Sequence, residues 1–390
     1  MIDNQNKYNK ERLFILLGGI PAVFVSFFLP KNKGRIILNS HFNESFDFNS
    51  KYLFLYMKAN GYDVYFVIND DEYRKKLIDQ YGDRFIETKT FRGKLFALRS
   101  KLWFISAFEL PVGGIFLKAT RTIVHLTHGS LIKNVGLLEK DVSFVKRVYY
   151  NLFVKTNISY SVATSDFFVK STSAYTGVPE KNVLVSGFPR NDALFLTLPC
   201  DVDSFKNDSF KVLYAPTWRK DSNVRLFPFE DFDSADFEDF LLKNNITVYV
   251  RLHPYNEVSI DMDLLTSHVR LFSTDECKEI MDVLSQFECL ITDYSSILYD
   301  FMLLDRPFIL FPYDFEEYRE KIGFAIDYET ITPGHKPCSF TELKDALLDA
   351  KNKDFYREKR QQVCSLCNKY REGSSRRLLD MLKARNVQGL

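Results

Sequence analysis

The run from Cys289 to Asp314 constrains the architecture more than any other stretch of the chain. Leu290 and Ile291 close a short apolar run, and Asp293, Tyr294, Ser295 and Ser296 supply turn and N-cap chemistry. Ile297, Leu298, Phe301, Met302 and Leu303 then recur at helical spacing, and Pro307 to Phe311 is a second buried run. Strand, tight turn, helix, strand is one crossover of a parallel sheet. Free backbone N–H groups and two hydroxyls at the helix start make an anion seat, although an ordinary capped crossover helix carries the same residues.

The same rhythm fills the chain. Gly34 to Asn39, Val64 to Ile68, Thr122 to Leu126, Ser159 to Ala163 and Asn182 to Ser186 read as strands with helical patterning between them. Leu196 to Ser209 breaks the alternation with Pro199 and an acidic run, and is placed as the linker. Val212 to Ala215, Ile246 to Val250 and Val269 to Phe272 start a second series, with a helix expected from Lys278 to Phe287. The expected fold class is α/β, with two Rossmann-like doubly wound domains at 34–205 and 206–390. The charge-rich helical tail, Lys351 to Arg385, is grouped with the second domain and is a candidate to pack back across both.

At 390 residues the chain is long enough for two domains, and an apolar fraction of 46% with 26% charged residues is that of a folded protein. A formal net charge of +1 gives no field pointing to nucleic acid. The six cysteines are scattered; Cys364-x-x-Cys367 lacks a second pair, and bystander thiols in a reducing cytosol are the reading. Residues 1–33 are expected to associate with membrane. Leu13 to Leu29 is apolar for about 17 residues between basic flanks, at the short limit for a bilayer span, with Gly18, Gly19 and Pro21 inside it. No small-residue cleavage site precedes Lys31, so an interfacial helix is preferred over a signal peptide, with a core helix as the alternative.

His128 and His253 each follow a β-run in turns rich in Gly or Pro, one per expected domain. Ligands of open α/β sheets bind outside the carboxyl ends of the strands, so the pair suggests a cleft between the domains. An imidazole there can take a proton from a hydroxyl or steady phosphate oxygens. His41, His125, His268 and His335 carry less weight, and His125 reads as a core histidine. Arg190, Arg219 and Arg251 stand at similar strand ends, where guanidinium forks suit phosphate. The triplets Asp201-Val-Asp203, Asp231-Phe-Asp233 and Asp261-Met-Asp263 lie in polar stretches and are read as surface, so no metal site and no Mg²⁺ dependence is expected. No Walker loop, Gly-x-Gly-x-x-Gly or Gly-x-Ser-x-Gly elbow is present.

Five stretches in fixed order carry a family resemblance. They are His128-Gly-Ser130 with Lys133 and Gly136, Gly187-Phe-Pro-Arg-Asn-Asp192, Tyr214-Ala-Pro-Thr-Trp-Arg219, Arg251-Leu-His-Pro254, and Thr292 to Asp300 with Arg306, Pro307, Tyr313, Asp314 and Tyr318. Together with Asn49 to Phe54 they resemble the CDP-glycerol glycerophosphotransferases of teichoic acid and capsule synthesis, over roughly residues 34 to 345. The resemblance implies a GT-B-like pair of domains facing across a cleft, at the cytoplasmic face of a bacterial membrane. It implies His128 as base on the acceptor hydroxyl, with His253, Ser295 and Ser296 on the donor pyrophosphate. Arg190, Thr217, Arg219, Arg251, Thr292 and Asp293 would complete the donor site, and Ser130 and Lys133 the acceptor side. Ser130 stands where the family usually has Thr, and keeps the hydroxyl. The implied donor is CDP-glycerol or a related CDP-polyol, used without a cofactor. The acceptor is a lipid-linked or polymeric hydroxyl, and CMP leaves. A glycosyltransferase of the same shape using a nucleotide sugar is the alternative, and a non-catalytic scaffold for anionic polymer is a third reading.

Overall fold

Short runs rich in Val, Ile, Phe and Leu become strands buried on both faces, as parallel sheets require. The computed structural model describes residues 20–196, 202, 205–219, 224–252 and 262–390. The first sheet contains β1 (Asn32–Asn39), β2 (Val64–Val67), β3 (Phe85–Ile86), β4 (Ser100–Ile105), β5 (Thr122–His125), β6 (Tyr160–Ala163) and β7 (Val183–Val185). Its order is β3-β2-β1-β4-β5-β6-β7, with every pairing parallel. The second sheet contains β8 (Phe210–Tyr214), β9 (Ile246–Val250), β10 (Val269–Leu271), β11 (Cys289–Thr292) and β12 (Phe308–Leu310), ordered β10-β9-β8-β11-β12 and again all parallel. In each sheet the strand order reverses once, between β1 and β4 in the first and between β8 and β11 in the second. Those two switch points are where ligand crevices form.

The two faces of the first sheet show the period of two expected of strands. Ile36, Leu38, Phe104 and Val124 enter one core cluster, while Ile37, Trp103, Ile105 and Ile123 enter the other. The expected α/β class with two doubly wound domains is the observed one. The grouping of the C-terminal tail is not. Residues 1–192 and 369–390 form one compact body, and 193–368 the other. The cause is the last helix, Ser374–Ala384: Leu378, Leu379 and Leu382 are buried in the first domain's core beside Phe54 and Leu38. Its start is capped from far upstream, where the Asp192 carboxylate accepts from the N–H groups of Ser374 (2.7 Å) and Ser375 (2.8 Å). An anion at a helix N-terminus satisfies orphan donors and the dipole together. The rest of the charge-rich tail, up to Asn368, stays with the second domain.

Two local expectations also change. The stretch 278–287 forms two 3₁₀ turns, Ile280–Asp282 and Leu284–Gln286, rather than one helix. Of the apolar N-terminal run, helix Ile20–Phe28 is described; the part before Ile20 lies outside the described residues. Among the described residues no helix is long and apolar enough to cross a membrane.

Candidate active site

In the first domain, the loops after β1, β4 and β5 meet at the switch point. Asn49, fully buried in helix Phe48–Ala59, holds them in register. Its Nδ2 donates to the carbonyls of Leu126 (3.0 Å) and Thr127 (2.9 Å), and its Oδ1 accepts from the Arg190 N–H (3.1 Å). One amide thus ties the His128 loop to the Gly187–Asp192 loop, which is what a buried Asn with every partner supplied can do. Arg190 Nη1 donates to the His128 carbonyl at 2.6 Å. This arginine, expected on the donor, is therefore placed in the first domain as part of the scaffold under His128.

Around this loop the backbone is strained. Phe42, Asn43, Phe48 and Thr127 all have φ between 50° and 60°. Non-glycine residues in the left-handed region each cost of order 1–3 kcal/mol and gather where a site over-determines them. His128 follows β5 as an exposed residue, its ring 6.0 Å between centroids from that of Phe48. Crowding by protein, then the nearby charges of His41 and Arg190, push its pKa down to about 4. The exposed face of the ring keeps it partly solvated, which tempers the desolvation; the direction is a neutral imidazole at pH 7. Ser130 Oγ, buried beside it, has no hydrogen-bond partner. Lys133 lies half-buried on the same loop.

Of two further groups in this crevice, His41 carries little weight in the sequence and Glu109 is not singled out there. His41 follows β1, and its Nδ1 lies 3.6 Å from Oε2 of Glu109, a carboxylate with a side chain only 3% exposed. The signal was available, since Ser40-His41 closes an apolar strand run just as Thr127-His128 does. His125 is a core residue as expected. Its ring stacks on Phe108 with centroids 4.8 Å apart, Nδ1 accepts from the Thr127 N–H (3.3 Å), and burial pushes its pKa down to about 3.

In the second domain the loops after β8 and β11 meet at the other switch point. Arg219, 8% exposed, is engaged at all three guanidinium nitrogens. Nε and Nη2 grip the Asp314 carboxylate (2.8 and 3.0 Å), Nη2 also meets Asp293 (2.9 Å), and Nη1 donates to the Thr217 carbonyl (2.7 Å). Asp293 Oδ1 accepts from the N–H groups of Thr217 (2.8 Å) and Tyr294 (2.6 Å). Burial alone would lower the Arg219 pKa; the bonds to Asp314 and the charge of Asp293 outweigh it and raise it. Thr292 Oγ1 donates to the Ala215 carbonyl at 2.7 Å. Arg251 spends Nη1 and Nη2 on carbonyls of the 272–278 loop, among them Cys277 at 2.6 Å.

Arg219, Arg251, Thr292 and Asp293, expected on the donor, all bond within the second domain. Their polar groups are spent inside the domain and shape the turn. Among the described residues, Thr217 Oγ1 is buried without a hydrogen-bond partner, and Ser295 and Ser296 are half-buried after β11. The helix they precede, Ile297–Phe301, is short and carries no side-chain cap bond. His253 lies outside the described residues, as do Asp201, Asp203 and Asp261. Asp231 and Asp233 serve as caps: Asp231 accepts from the Phe340 N–H (3.0 Å), and Asp233 from the Asp236 N–H (2.9 Å).

Each domain thus carries polar groups at its own switch point: the exposed imidazole of His128 in the first, and the hydroxyls of Thr217, Ser295 and Ser296 in the second. The chain is 25% identical over 375 residues to the teichoic acid ribitol-phosphate polymerase TarL of Staphylococcus aureus, covering 92% of this chain and 64% of that protein. It is 25% identical over 346 residues to the teichoic acid poly(glycerol phosphate) polymerase of Bacillus subtilis, covering 84% of this chain and 45% of that protein. It therefore spans about half to two thirds of these relatives' length. A solved structure of the wall teichoic acid polymerase TagF with CDPG shares the fold, with a TM-score of 0.74 at 18% identity over 99% of this chain and 98% of that one. The model of the CDP-glycerol:poly(glycerophosphate) glycerophosphotransferase family matches residues 22–383, and the chain belongs to that family.

Proposed function

We propose that the protein transfers a glycerol-phosphate or related polyol-phosphate unit from a CDP-activated donor to a hydroxyl of a lipid-linked or polymeric acceptor. The observation that carries this reading is His128, neutral and solvent-reaching at the first switch point of a chain in this family. The acceptor oxygen attacks the β-phosphorus, its proton passes to the His128 imidazole, and the bond to the α-phosphate bridging oxygen breaks so that CMP leaves. Ser130 and Lys133 line the acceptor side. Thr217, Ser295 and Ser296 offer hydroxyls to the donor pyrophosphate, with His253 as a further partner. The relatives' names divide between glycerol phosphate and ribitol phosphate, so the polyol is a question for experiment. The decisive assay incubates the protein with CDP-glycerol, CDP-ribitol and a panel of nucleotide sugars in turn. CMP release from a CDP-polyol is the expected result. Nucleoside diphosphate release from a sugar donor, with no CMP from either polyol, would replace this reading by a glycosyltransferase.

The same reading places the protein on the cytoplasmic face of a bacterial membrane, where lipid-linked acceptors are found. Helix Ile20–Phe28 supports it: Phe24, Phe27 and Phe28 are 68%, 55% and 88% exposed, while Ser26 faces inward and is fully buried. Phe144 and Val145, beside Lys146 and Arg147, add a second exposed apolar and basic surface in the same domain. Each Phe is worth about 1.5–3 kcal/mol when fully buried. Changing Phe24, Phe27 and Phe28 together to Ser should therefore weaken binding to phosphatidylglycerol vesicles at least ~10-fold. The melting temperature should hardly move, because these rings are already in water. Vesicle flotation checks this, and unchanged binding would remove the helix from the membrane contact.

A further inference from the structure

At the opposite end of the first sheet from His128, a concave pocket of about 270 Å³ opens at the amino ends of β4, β5 and β6. Lys101, Lys118, Arg121 and Arg385 line it together with Thr122 and Tyr160, and no Asp or Glu does. Arg121 is 4% exposed and its guanidinium stacks 4.1 Å from the centroid of Trp103. Nη2 reaches Ser26 Oγ and, at 3.2 Å, the Leu98 carbonyl, while Nε and Nη1 are buried with no partner among the described residues. Lys31 converges on the same two acceptors, at 2.9 Å from Ser26 Oγ and 2.8 Å from the Leu98 carbonyl. Among the described residues, Lys31, Lys101, Lys118, Arg121 and Arg385 form no ion pair with any carboxylate.

Five cations gathered without a counter-charge are expensive, and a buried guanidinium with idle N–H groups doubly so. The strain shows in Lys31, where burial and then the charges of Arg121 and Lys101 push the pKa down to about 7. A bound anion would relieve both. The arginine fork suits tetrahedral oxygens, and the lysines and threonine add further donors. We propose that this pocket binds phosphate, as the free ion or as the phosphodiester headgroup of an anionic phospholipid. It is separate from the candidate active site, since β5 stands between Thr122 at the pocket and the loop bearing His128. The inference does not depend on the transferase reading.

Arg121→Ala risks the fold through Trp103, so the test uses residues that reach solvent. Lys101, Lys118 and Arg385 are replaced together by Ala, against a control that replaces Lys75, Lys76 and Lys89, equal in charge and elsewhere on the domain. Inorganic phosphate is titrated calorimetrically, and flotation compares phosphatidylglycerol with phosphatidylcholine vesicles. Saturable phosphate binding, weakened ~10-fold or more in the pocket variant and kept in the control, assigns the site to the free ion. No response to free phosphate, with phosphatidylglycerol binding lost in the pocket variant and kept in the control, assigns it to the lipid headgroup. Binding that survives the pocket variant, falls equally in the control, or is absent for both probes overturns the proposal. CMP release is measured alongside; it should persist in the pocket variant, so a failed transferase reading and a failed pocket are told apart.

Discussion

His128→Ala should lower CMP release by about 10²–10⁴-fold, the range for loss of a general base. Its melting temperature should barely change, because the ring reaches solvent and the loop backbone is held by Asn49 and Arg190. Donor affinity by calorimetry should also stay near the wild-type value, since in the proposed reaction the base touches the acceptor alone. The pH profile adds a second reading. Protonation removes the accepting lone pair, so turnover is full above the His128 pKa and falls as pH drops through it. With that pKa pushed down, the acid limb should lie below the ordinary histidine value near 6.5. Wild-type turnover in the variant, or donor affinity lost along with turnover, would take the base away from His128.

Arg219→Ala should cost about 3–5 kcal/mol in the stability of the second domain, since it strands the carboxylates of Asp293 and Asp314 without their shared partner. Lysine should not restore it, because a single ammonium cannot reproduce the two-nitrogen grip on Asp314 together with the bonds to Asp293 and the Thr217 carbonyl. Chemical denaturation, following the transition of the second domain, measures the loss. Donor binding should weaken in parallel, as the Thr217 and Ser295 turns lose their support. A variant that keeps its stability while losing only donor affinity would return Arg219 to direct contact with the donor.

The difference between these two residues explains what could be read from the chain and what could not. Position at a strand end is local: an apolar run, then a turn residue, and the side chain is delivered to the crevice. That is why most of the strands, and the place of His128 just after one of them, were legible, whereas the short β3 and the basic-flanked β4 were not. Hydrogen-bond partners are not local. Thr217 meets Asp293 across 76 positions and Arg219 meets Asp314 across 95, and nothing in either stretch says that the guanidinium is already spoken for. The same blindness hid Glu109, whose neighbour His41 comes from a different strand. The last helix was misplaced for a related reason. Leu378, Leu379 and Leu382 announce an apolar face, but not which sheet it covers.

That helix has a consequence for how the protein is made. The domain holding His128 lacks part of its core, and the helix start that Asp192 caps, until residues 374–384 have been synthesised. The 176 residues of 193–368 emerge in between, roughly 9–35 s of translation at about 5–20 residues per second. During that interval the apolar surface around Leu38 and Phe54 waits uncovered beside the nascent chain, a natural place for a chaperone to hold on. The second domain can close on itself first, and the domain that starts ahead of it on the ribosome is completed after it.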